Sequence, residues 1–183
     1  MSLQQINVAY NPTEDRLLLR ITGNEAQGLA EFRFLITRRL LRLLWGGLDK
    51  LLDAGVAADP RVDAGARGMM KQFEKEAALA SADFKTPYAP QAKAAEVPVL
   101  TPLGEAPVLV SRVQLRPLAP GHYLVGLHNE TGQGITLTLA PEMIHSIRKL
   151  LADSAQKAEW NLDLMENDEK VVGGGPEPGR IIN

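Results

Sequence analysis

At Thr37 the spacing of apolar residues changes from every second position to every third or fourth, and this change limits the fold more than any other feature. Before it, Glu31 to Thr37 reads EFRFLIT, with Phe32, Phe34 and Ile36 on one face of an extended segment. After it, Leu40, Leu41, Leu44, Leu48, Leu51 and Leu52 recur at helical steps. Thr37 fits the N-cap of that helix and Gly55 its C-terminal stop. A chain with this junction belongs to the α+β class.

Strand patterns flank the junction. Ile6–Tyr10 alternates and stops at Asn11-Pro12, and Asp15–Thr22 answers it before Gly23-Asn24, so a hairpin is expected over the loop Asn11–Glu14. Val108–Leu115, His122–His128 and Ile135–Leu139 read as a meander separated by turns at Pro117–Gly121 and Asn129–Gly134. A second helix is expected from about Asp63 to Phe84, with Met69, Met70, Phe73, Ala77 and Ala80 towards the core and Glu74, Lys75 and Glu76 outward. A third begins at Ala140-Pro141 and buries Ile144, Ile147, Leu151 and Ala158. The expected architecture is an antiparallel sheet or sandwich of about six strands, with an inserted helical hairpin and a C-terminal helix.

Residues 1–165 are expected to form one domain. Five of the twelve prolines fall between Thr86 and Pro107, which reads as an extended internal linker. Residues 166–183, acidic and then rich in Gly and Pro, read as a disordered tail.

The chemistry that the sequence excludes is as informative. With no cysteine there is no disulfide, no zinc–thiolate site and no thiol nucleophile. His122 and His128 are six residues apart on one strand pattern, about 20 Å at strand rise, and His145 has no second ligand at i+4. Gly132-Gln133-Gly134 precedes a strand instead of opening a helix, so it does not fit a phosphate loop. No metal or cofactor is expected. An enzyme site could still assemble from scattered residues such as His122, Tyr123, His128 and Glu130.

Charge is unevenly placed. Seven basic residues lie between Arg16 and Lys50 against three acidic ones, although the net charge is −2. Arg33, Arg38, Arg39 and Arg42 are therefore candidate phosphate contacts, making nucleic acid a conceivable partner. The N-terminal residues show no basic patch followed by an apolar run, and Leu40–Leu52 is too short and too charged to span a bilayer. A cytoplasmic location is expected.

In the first helix the leucines occupy more than one stripe. Leu43 and Trp45 lie off the face of Leu40, Leu44, Leu48 and Leu51, and Gly46-Gly47 would let another backbone approach. Leu43, Trp45, Gly46 and Gly47 are thus the expected contacts of a self-associating interface. The order of elements over Ile6–Thr37, Thr37–Phe84 and Val108–Ala158 resembles that of the head domain shared by the end-joining scaffold and centriole-assembly proteins. That resemblance implies a non-enzymatic dimerising scaffold, with a protein partner or a second copy as its ligand. No sustained heptad pattern follows Ala158, in contrast to that group.

Overall fold

The computed structural model describes residues 2–88, 99–118 and 121–164, and among them it is α+β, with seven strands in two sheets and three α-helices. Strands β1 (Ser2–Asn11), β2 (Arg16–Glu25) and β3 (Gly28–Ile36) form an antiparallel meander. Asn11 turns the first corner by accepting the Thr13 amide at 3.1 Å, and Asp15 takes a left-handed φ of 47°. The second strand does not end at Gly23-Asn24 as the sequence suggests. It continues to Glu25, with Gly23 opposite Ala30 and Asn24 opposite Leu29, and Gly28 at φ 128° makes the tight return. Leu17, Leu19 and Ile21 alternate onto the buried face with Phe32, Phe34 and Ile36.

Helix α1 (Arg38–Ala58) starts where the period changes, and its first turn is capped by Thr37 Oγ1, which accepts the Leu40 amide at 3.2 Å. It buries Leu40, Leu41, Leu44, Leu48, Leu51, Leu52 and Val56. Gly55 is no stop, because the helix runs three residues past it to Ala58 and ends against Asp59. A 3-10 turn at Ala64–Ala66 leads into α2 (Arg67–Ser81), shorter at both ends than the expected Asp63–Phe84.

The strand expected over Val108–Leu115 divides between the sheets. Val108–Leu109 forms β4, parallel to β3, with Val110 donating its amide to Leu35 at 3.0 Å. The chain then crosses, and β5 (Arg112–Pro117) pairs antiparallel with β6 (Tyr123–His128), which pairs with β7 (Gly134–Leu139). The parallel pairing also reaches back into the proline-rich stretch. Leu100 bridges Ala30, accepting from Glu31 at 2.8 Å and donating to Leu29 at 2.9 Å. Tyr88 donates to Glu31 at 2.7 Å. The ends of that stretch are therefore bonded to the first sheet, while its centre, 89–98, and the tail from 165 onward lie outside the described residues.

Helix α3 (Pro141–Lys157) lays Ile144, Leu151 and Ala155 on the core, and Ser154 donates to the Val8 carbonyl at 3.1 Å. Beyond it Trp160 folds back onto the core. It is 2% exposed, edge-on to Tyr10, and donates its Nε1–H to Asp15 at 2.7 Å. That bond, then one from Tyr10 and the nearby Arg38, holds the Asp15 carboxyl below the usual carboxylate range. Buried residues of both sheets, α1, α3 and Trp160 belong to one continuous apolar cluster.

Candidate functional site

An α-helix advances about 100° per residue, so side chains two apart point to nearly opposite sides. This rule separates the expected interface residues. Leu43 is 64% exposed, whereas Trp45 turns towards α3 and is half-buried beneath Arg148, whose guanidinium carbon lies 4.3 Å from the indole centroid. Gly46 faces open space. Gly47 does admit a close neighbour, but it is Leu115 of β5 in the same chain, 2.5 Å from where a Cβ would sit. Gly55 has the same use, with the Tyr123 ring crossing from β6 so that its hydroxyl rests over the glycine. The four residues do not form one outward patch.

The arginines are dispersed as well. Arg33 engages Glu31 at 3.8 Å on β3, and Arg38 lies 3.6 Å from Asp15 with its guanidinium over Trp160. Arg39 and Arg42 are exposed on the first two turns of α1.

The larger surprise is α2. Its buried residues are Lys71 and Ala78, and the apolar stripe expected to face the core faces water. Met69 is 72% exposed, Phe73 67% and Met70 37%, with Ala77 and Ala80 also exposed. Glu74 and Lys75, expected outside, are partly buried. The orientation follows from the charge beneath the helix. Lys71 Nζ donates to Asp49 at 2.8 Å and to Asp53 at 2.7 Å, and Arg148 of α3 approaches the same Asp49 oxygen at 3.2 Å. Burial acts to lower the Lys71 pKa, but the two carboxylates outweigh it and leave the ammonium above its ordinary value. Two helices thus present cations to carboxylates on α1, and the Lys71 side of α2 is drawn inward. His145, on the α3 face that buries Arg148, is 3% exposed and takes a packing position.

A cavity of about 530 Å³ opens where the C-terminal end of α1 meets α2 and the start of β6. His122 and Tyr123 line it, whereas His128 and Glu130 belong to the opposite end of β6 and its hairpin, so the four scattered residues are not brought together. Glu74 joins them instead. Burial, then Glu142 and Asp59, push its carboxyl pKa up. No sequence motif marks Glu74 or Gly55, because the juxtaposition depends on which side of α2 faces inward. Among the described residues no group of three His, Asp or Glu side chains could hold a metal, and no helix is long and apolar enough to cross a membrane.

Comparison with protein-family models, curated proteins and solved structures finds no match to this chain.

Proposed function

We propose that the protein is a non-enzymatic assembly module that pairs with a second copy of itself through the outer face of α2. The carrying observation is the exposure of Met69 and Phe73, one helical turn apart, on a helix whose other side is held down by ion pairs. Contiguous large apolar side chains in water characterise interaction surfaces. The residues along the stripe suit an antiparallel twofold pairing centred on Phe73. Met69 of one copy then meets Ala77 of the other, large against small, and Arg67 comes within reach of the opposing Glu76. The spread of His122, Tyr123, His128 and Glu130 along β6 supports a surface function over catalysis by those residues. The resemblance in element order to dimerising scaffold heads supports the same class.

Light scattering on the native particle tests this reading. The wild-type chain is expected at twice its 19.9 kDa mass, and Phe73→Glu is expected at the monomer mass with an unchanged circular dichroism spectrum. A wild-type monomer at high concentration, or a Phe73→Glu dimer, would sink it.

A further inference from the structure

We propose that the cavity between the end of α1, α2 and the start of β6 binds a small organic cation, an alkyl- or arylalkylammonium with an apolar body. Its volume, about 530 Å³, lies within the range of small-molecule sites. The walls are mixed in the way such a ligand needs. Val56, Met70, Leu118, Tyr123 and Pro141 supply apolar surface, and the Glu74 carboxylate stands among them.

Two features give the cavity its sign. The charges that act on Glu74 are those of Glu142 and Asp59, both negative, and the same Glu74 and Glu142 act on Tyr123. The carbonyl end of α1 also points here, and its last turn carries no basic residue. Arg61 and Asp59 on the rim are bonded to each other at 2.9 and 2.7 Å and together add no net charge, which leaves the sign to Glu74 and Glu142. At the opposing N-terminus of α3, Glu142 in the first turn offsets the positive helix end.

The independent pointer to a ligand is Tyr123. This side chain is 3% exposed and lines the cavity, and its hydroxyl makes no hydrogen bond among the described residues. The hydroxyl is not sealed inside the core: it opens to the cavity, where a bound group can donate to it. An ammonium N–H donated to the Tyr123 oxygen and to Glu74 would engage both groups and neutralise the Glu74 charge. Neither an anion nor a neutral apolar molecule does so. The site does not depend on self-association through Phe73.

The test is titration of the full chain, followed by amide and methyl NMR, with phenethylammonium and butylammonium as probes and butanol and butyrate as controls. Saturable shifts confined to Gly55, Met70 and Tyr123 are expected with the amines, and at least tenfold weaker binding with both controls. Glu74→Gln is expected to weaken amine binding tenfold or more while keeping the wild-type dichroism spectrum, with Tyr123→Phe weakening it less. Absence of saturable shifts, equal binding of butanol, or amine binding unchanged in Glu74→Gln would each overturn the proposal.

Discussion

The guanidinium of Arg148 lies over the indole of Trp45, 4.3 Å from its centroid, and touches Asp49 at 3.2 Å. A cation held between an aromatic face and a carboxylate, at 3% exposure, is anchored from two sides. Trp45 is therefore part of the contact between α1 and α3.

It follows that Trp45→Leu lowers stability by about 1–2 kcal/mol, read from urea unfolding, and leaves the particle mass unchanged. A change of mass without loss of stability would return Trp45 to the interface.

The helix glycines provide a second prediction, since they sit in different surroundings. Gly46→Ala meets nothing and gains helix propensity, so stability should rise by roughly 0.5–1 kcal/mol. Gly55→Ala drives a methyl into the Tyr123 hydroxyl and should cost about 1–3 kcal/mol. Adding Tyr123→Phe should recover part of that loss. A double variant as unstable as the sum of the two single changes would show that the helix and ring do not touch.

Lys71 yields a third. Lys71→Met leaves Asp53 without its cation and Asp49 with only Arg148, and should cost about 3 kcal/mol. Because the Lys71 pKa is raised on folding, its contribution is complete below the ordinary lysine value of ~10.4 and is lost as pH rises through the folded one. The stability gap between wild type and variant should accordingly narrow in strong base. A gap that widens there would contradict the ion-pair account.

These residues also show where sequence reading succeeds and fails. The strand periods and the switch at Thr37 were legible because burial in β2, β3 and α1 follows apolar content directly: Leu17, Phe34 and Leu41 are all at 0% exposure. On α2 the same logic points the wrong way. Its period of 3.6 is genuine, but the period only says that the helix has two unlike faces. Ion pairs made with Asp49 and Asp53, some twenty residues upstream, select the polar face for burial. The pairing of β3 with Val108 and with Leu100 was equally hidden, since backbone hydrogen bonding between distant segments leaves no composition signal.

The candidate site was half legible. His122 and Tyr123 stood out as titratable neighbours, and both line the cavity. Glu74 has the sequence pattern of an outward charged residue, because its place depends on the orientation of α2. Gly55 has the sequence pattern of a terminator, because a glycine that admits a ring and one that ends a helix look alike in sequence.

The bond from Trp160 to Asp15 spans 145 positions, and it sets a schedule for the chain as it is made. At a synthesis rate of roughly 5–20 residues per second, the β1–β2 hairpin waits about 7–30 s for that tryptophan to emerge. During this interval Tyr10 and the surface that α3 will cover stand open to the ribosome's surroundings. The first sheet is thus made well before the helix that shelters it, and the face that α3 will cover is where mispairing threatens in the interval.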